Sequence, residues 1–405
     1  MKKFWKCTEI AVASLFLCCK GGEDNRDVIT IDIEKAFYKA QEMLLSDFVE
    51  HIEYVALDSE KPINKGLKVY SSGGYLVCIT SHQVYLFERQ TGTFIGEMGR
   101  VGRGPGEYSY AQYFDSGIQH VVAVDNERNV LAYDLMGKGT RTISPPRKEN
   151  EHGGIDDWNI SGRTFIDSNS VVYFNNNRQG DAKDRLIVAD ESGTVFKIFS
   201  NPNHFVPQMR VFQTTPPIFY HYGRNTFFLE ICIDTIFHVT SEALVPHYHL
   251  NMGKYQPPYE LQNMLFVPQQ PEPLINQYFW FRNIGETDHF LFFNFEHQKN
   301  SSPSTQSRSS FFGYFDKIQK SVKIADCDIN QKHIVNDVDG FKASQLSSWT
   351  IDNEQNKLIS YIEAIDIVEW FAKNPIKAKE LPQDIQKLSK LQPDDNPVVV
   401  IAALK

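Results

Sequence analysis

The residues best placed to do chemistry form one run, Gly99-Arg100-Val101-Gly102-Arg103-Gly104-Pro105-Gly106-Glu107-Tyr108. Its glycines permit positive φ and close approach of other groups, and Pro105 fixes one φ among them. The run lacks the Gly-Lys-Ser/Thr ending of a phosphate loop. The β-like segment that follows, Tyr108 to Phe114, denies it the helix that a dinucleotide fingerprint needs. Two readings stand. In the first, the run is a tight turn between two sheets, and Arg100 or Arg103 pairs with Glu107. In the second, Arg100, Arg103, Glu107 and Tyr108 face a ligand where loops converge, and guanidinium and carboxylate hydrogen-bond a sugar or a peptide.

Other candidates are weaker. His247-x-His249 puts two imidazoles on one face of a strand, but no third ligand accompanies them, so no metal site is assigned. The acidic turns Asp125-Asn126-Glu127 and Asn336-Asp337-Val338-Asp339 could offer oxygens to calcium. Neither has EF-hand spacing, and Asp and Asn are turn formers in their own right. Trp158, Trp280 and Trp349 are the side chains to test for stacking on sugar rings. Neither a Gly-x-Ser-x-Gly elbow nor a Cys/His pairing occurs, so nucleophilic hydrolysis has no support, and no catalytic residue is assigned. Cys78, Cys232 and Cys327 stand far apart with no Cys-x-x-Cys. They read as buried thiols, with one disulfide as the alternative.

The elements that would carry these residues are strands. The chain has 405 residues, 41% hydrophobic, with 29 Phe and 18 Tyr; that favours a large β-rich core over disorder. A hairpin recurs: an apolar strand, an acidic or turn residue, Gly or Lys, and a second apolar strand. It begins at Val84, Val130, Leu186, Ile236 and Phe311, each time after another apolar segment such as 75–79 or 171–174. Four strands in about 45–50 residues is the period of a propeller blade. The longest gap between hairpins holds a serine-rich insertion, 299–310. Near the end, 358–364 reads as a strand, and 365–371 and 376–391 read as helix, with Pro382 in a first turn. The closing run, 398–404, is apolar and β-like. Segment 33–45 has helix-favouring content, and 49–57 alternates as a strand. A ring of blades must close, and either 49–57 or 398–404 is expected to complete a shared blade.

The N-terminus reads as an address. Lys2, Lys3 and Lys6 precede a short apolar stretch, 10–17, far below the length that spans a bilayer. Cys18-Cys19 follows, at the position where bacterial lipoproteins are acylated. Cys19 is the expected lipidation site, with Cys18 as the alternative. Residues 1–19 are thus expected to be a lipoprotein signal, 20–30 a polar tether, and 31–405 one propeller. Glu23-Asp24 resembles the export tag of surface lipoproteins in Bacteroidetes. The net charge of -9 and the lack of a basic block argue against nucleic acid as a partner.

The run 94–108 resembles the G-x-G-x-G-P-G-E-Y signature of the six-bladed β-propeller lipoproteins of Bacteroidetes, whose shape is related to NHL-repeat propellers. Val55-Ala56-Leu57-Asp58, Asp234-Thr235-Ile236-Phe237, Asn336-Asp337 with Asp339-Gly340, and Asn396-Pro397-Val398-Val399 support the resemblance, though Phe341 stands where that family has a further glycine. The resemblance implies an all-β fold: six four-stranded blades with a short helical element near the C-terminus. The function expected is that of a non-enzymatic binding or scaffold protein, lipid-anchored at the outer membrane and facing the periplasm or the cell surface. It would take a carbohydrate or peptide ligand, in glycan or nutrient capture, and need no cofactor beyond a calcium ion at most. One alternative is a hydrolase or lyase whose acids, Glu107 and Asp337 among them, meet at the central channel. Another is an accessory of an outer-membrane transporter, with a membrane protein as partner.

Overall fold

The computed structural model describes residues 28–63, 66–80, 83–115, 120–125, 128–135, 140–149, 155–207, 216–263, 277–297, 309–327, 334–344 and 346–405. The signal segment, Cys18 and Cys19, most of the tether and of the serine-rich insertion, and Asn126-Glu127 lie outside them. Six antiparallel four-stranded sheets form a propeller ring. In the first blade the strands Lys68–Ser72, Tyr75–Ile79, Val84–Glu88 and Phe94–Met98 run from the axis outward. The inner strands of the next four blades are Tyr110–Asp115, Ile160–Phe165, Ile218–Tyr222 and Trp280–Glu286. Each is followed by three further strands, and the repeating hairpin of the sequence is the outer pair of each of these five blades.

The near-continuous apolar runs of the second and third strands follow from the ring. A blade is covered on both faces by its neighbours, so both sets of alternating side chains are buried. In Tyr75–Ile79, Leu76 and Cys78 pack with Ile359, Tyr361, Val399 and Ile401 of the sixth blade. Val77 and Ile79 turn the other way, to Phe114, Val121 and Ala123 of the second blade. Cys78, Cys232 and Cys327 are buried and form no disulfide with one another.

Both expected segments close the ring, by pairing with each other. The sixth blade runs Thr350–Asp352, Lys357–Ile362, Val398–Leu404 and then Val49–Ala56. Val398 stands opposite Ala56, and Ala402 opposite Ile52. Ile29–Asp32, the first residues of which were expected in the tether, instead adds a parallel fifth strand to the fourth blade, with Ile29 opposite Tyr248.

Helical expectations need correction. Ile33–Tyr38 is helical, with Asp32 accepting from the Lys35 amide at its N-terminus, but the helix stops there and Met43–Leu44 is a short strand. Ala364–Lys373 is an α-helix as read. The stretch 376–391 is not one helix but three short pieces, 377–379, 383–386 and 387–390. Pro382 supplies no amide hydrogen and clashes with a preceding turn, so it ends one piece and caps the next. Leu381, Ile385 and Leu388 still reach the core beside Ile367, under Phe341 and Trp370. Among the described residues no helix is long and apolar enough to cross a membrane.

Candidate binding site

The six inner strands surround a cavity of about 450 Å³ on the propeller axis, within the range of small-molecule sites. Its wall mixes two kinds of group. Tyr70, Tyr113, Phe114, Phe219, Tyr220, Phe281 and Trp349 present rings and apolar edges. Between them stand polar side chains from separate blades: Lys68 and Ser71 from the first, Gln112 from the second, Arg163 and Thr164 from the third, His221 from the fourth, and Asp352 and Asn353 from the sixth.

Part of this polar set is satisfied. His221 Nε2 lies 3.0 Å from Thr164 Oγ1 and 3.3 Å from Asp115 Oδ2, and its Nδ1 lies 3.3 Å from Thr226 Oγ1. The Tyr113 hydroxyl donates to Thr164 Oγ1 at 3.1 Å, and Asn353 Nδ2 donates to the His221 carbonyl at 2.7 Å. These bonds tie the second, third, fourth and sixth blades together around the axis. Arg282 is held by Glu296 at 2.7 Å.

The rest has no hydrogen-bond partner among the described residues. Ser71 Oγ, Gln112 Oε1, Arg163 Nε, Asp352 Oδ2 and Asn353 Oδ1 are all buried atoms without a hydrogen-bond partner, and all belong to residues that line this one cavity. Buried polar atoms are nearly always paired, and leaving one unpaired costs about 1–3 kcal/mol. Five in one place mark a site that completes itself with something from outside. Lys68 opens to the cavity but is enclosed by the blade walls, and this desolvation lowers its pKa below the usual lysine value. Burial raises the Tyr113 phenol well above its ordinary range, so it stays a neutral donor.

One wall rests on a buried acid. Glu286, the last residue of the fifth inner strand, is fully buried. It accepts from the Tyr220 hydroxyl at 2.9 Å and the Tyr248 hydroxyl at 3.0 Å, with His247 Nε2 at 3.1 Å and Lys317 Nζ at 2.6 Å. Burial pushes its pKa up, but His247 and Lys317 outweigh that and hold it below the ordinary glutamate value. His247 is thus committed to Glu286, and His249 lies 3.3 Å from Asp234.

The glycine-rich run lies elsewhere. It connects the outer strand of the first blade to the inner strand of the second, and none of Arg100, Arg103, Glu107 and Tyr108 lines the cavity. Glu107 turns back into the loop and accepts from the Gly104 amide at 2.8 Å, with Arg100 4.0 Å away and largely exposed. Tyr108 is fully buried, packs edge-on against Tyr133 and donates to the Met98 carbonyl at 3.3 Å. A Cβ at Gly102 would fall 1.9 Å from Glu107 Oε2, so a side chain there must displace the Glu107 carboxylate. Gly99 has φ +64° and lies against the Tyr108 ring.

Glu107 and Asp337 do not meet at the channel. Asp337 binds the Ser46 amide at 2.9 Å, and Asp339 accepts from the Tyr54 hydroxyl at 2.9 Å. Of the three tryptophans singled out, Trp349 lines the cavity and donates its Nε1 hydrogen to Asn294. Trp280 is fully buried, and Trp158 donates to Asp184 at 2.9 Å. Among the described residues no three His, Cys, Asp or Glu side chains form a group that could hold a metal.

The sequence profile of a domain of unknown function, DUF4934, matches residues 28–403, the whole ring. The chain belongs to the DUF4934 family. Among solved structures, a Bacteroides fragilis protein whose name describes it as exported is similar at 16% identity, with a TM-score of 0.62 over 93% of this chain and 99% of that one. That likeness shows the shared propeller fold. The WD40 domain of Neurospora crassa Pan2 covers 88% of this chain and 96% of its own at 9% identity, with a TM-score of 0.37. Curated proteins offer no significant match.

The lining residues of this DUF4934 propeller escape a reading based on apolar runs. They sit on the inner strands, ahead of the second strand and the apolar hairpin, in short mixed segments such as Tyr70-Ser71-Ser72, Arg163-Thr164 and Asp352-Asn353. Their signal is positional: polar side chains at the same place in successive repeats, where an inner strand faces the axis.

Proposed function

We propose that this protein is a non-catalytic binding propeller of the cell envelope that holds a small polar ligand, a carbohydrate or a peptide, in its axial cavity. The observation that carries this reading is the convergence of five unpartnered buried polar atoms, from four blades, on one cavity with aromatic walls. Aromatic surface with a few placed polar groups is the common make-up of a ligand pocket. The envelope assignment rests on the basic and apolar N-terminus before Cys18-Cys19, with a lipid on Cys19, or else Cys18, holding the propeller at the outer membrane. Service to glycan or nutrient capture, beside an outer-membrane transporter, fits that location and the NHL-like shape.

A hydrolase or lyase reading would draw on the Asp115–His221 pair. Against it, both imidazole nitrogens are engaged, by Thr164 and Asp115 on one side and Thr226 on the other. In that reading a substrate hydroxyl would have to displace Thr164 from Nε2. The test is a thermal-shift and calorimetric screen of sugars and short peptides, with Trp349→Phe as the cavity variant. Saturable binding weakened in the variant is expected. Turnover of a lactone or glycoside in place of binding overturns the proposal. Radiolabelled fatty acid carried by the wild type and lost in Cys19→Ser tests the anchor.

A further inference from the structure

Arg163 is 8% exposed and forms no ion pair among the described residues, although it lines the axial cavity with its Nε buried and unpartnered. A buried guanidinium without a counter-charge is costly, and it is the side chain best suited to a carboxylate. Lys68, on the wall of the same cavity, also lacks an acidic partner among the described residues and adds to the positive field.

The remaining unpartnered atoms are of the opposite kind. Gln112 Oε1, Asp352 Oδ2 and Asn353 Oδ1 are acceptors, and Ser71 Oγ can accept. They come from the first, second and sixth blades. An ammonium carries its three donors on one nitrogen, within reach only of acceptors gathered around it, whereas hydroxyls spaced around a sugar ring can reach acceptors on separate blades. Asp352, 7% exposed in the same cavity, repels a second negative charge, which disfavours a dianionic phosphate. The aromatic walls supply faces for the C–H surface of a sugar ring.

We propose that the cavity takes an acidic sugar, a polyhydroxylated ring with one carboxylate, whose carboxylate pairs with Arg163 and whose hydroxyls donate to Gln112, Asp352, Asn353 and Ser71. The assignment rests on the reading of this cavity as a binding site.

Calorimetry on the purified full chain tests it, with glucuronate and galacturonate, the parent hexoses glucose and galactose, inorganic phosphate, and glycylglycine as probes. The uronates are expected to bind at least about tenfold more tightly than their parent hexoses, a difference of one good charge-assisted contact. Arg163→Met is expected to remove that preference, so that uronates and their parent hexoses bind equally, while Arg163→Lys keeps part of it. Should Arg163→Met fail to fold, Arg163→Lys and Lys68→Met carry the same comparison, each checked by circular dichroism. Hexoses that bind as tightly as uronates, or an Arg163→Met protein that keeps the preference, overturn the acidic-sugar assignment and leave the cavity reading standing. Phosphate or glycylglycine as the tightest probe does the same. If none of the probes binds the wild type, both fall.

Discussion

Replacing Glu286 with glutamine tests whether the cavity wall depends on a buried charge. The carboxylate is fully buried and receives two phenols, the His247 ring and the Lys317 ammonium, all within 3.1 Å. Glutamine keeps the shape but has only one acceptor oxygen, and its amide turns donors toward groups that already donate. Lys317, 17% exposed and seated 4.3 Å above the Tyr222 ring, loses its counter-charge. Breaking a buried pair from one side costs about 3–5 kcal/mol. At about 2.1 cal/mol/K of unfolding entropy per residue, a propeller of this length loses about 4–6 °C of Tm.

The effect depends on pH in a defined direction. The folded pKa of Glu286 is depressed, so its contribution is fully present above the unfolded value of about 4.3. It is lost as pH falls through the lower folded value. Melting followed by circular dichroism from pH 7 down into the acid range should show a gap between wild type and Glu286→Gln that is constant at neutral pH and closes in acid. A Tm unchanged at pH 7, or a gap that persists undiminished in acid, refutes the reasoning. Lys317→Met in the glutamine background should recover part of the loss, because it removes the stranded ammonium.

Two further predictions concern the ring itself. Gly102→Ala should destabilise by displacing the Glu107 carboxylate, which a Cβ would meet at 1.9 Å, but the same change should cost far less in a Glu107→Ala background. A double-mutant cycle with a coupling of about 0.5–3 kcal/mol is expected, and strictly additive effects would show that the loop does not pack in this way. Deleting 398–405 removes the third strand of the sixth blade, including Val398, Val399, Val400, Ile401 and Leu404, each at most 5% exposed. At about 1.5–3 kcal/mol per buried side chain that exceeds the net stability of most domains. The truncated chain should be protease-sensitive with no cooperative melt, and a wild-type melting curve would falsify the closure argument.

Much of the fold was legible because blade faces are buried on both sides. That makes the second and third strands long apolar runs with turn residues between them, and such runs repeat visibly. The glycine-rich loop was legible for a related reason: Gly102 and Gly99 are demanded by Glu107 and Tyr108 only a few residues away, so the constraint is local and leaves a compact signature. Pro382 was misjudged because the apolar spacing of Leu381, Ile385 and Leu388 survives in broken helical pieces as well as in a continuous helix.

The sequence by itself determined the strand content, the repeat and the existence of a closing strand. Those follow from side-chain periodicity and turn chemistry, which act over a few residues. Only the tertiary structure decided where the charges of Arg163, Lys68 and Asp352 come together. Their meeting depends on the ring closing, when Val398–Leu404 pairs with Val49–Ala56 and every inner strand is brought round one axis. The glycine-rich loop carries the more conspicuous residues, yet Glu107 and Tyr108 serve the loop's own turn and core, and Arg100 and Arg103 are exposed outside the cavity lining. The inner strands carry Ser71, Gln112, Arg163 and Asp352, whose polar atoms face the axial cavity with no partner among the described residues.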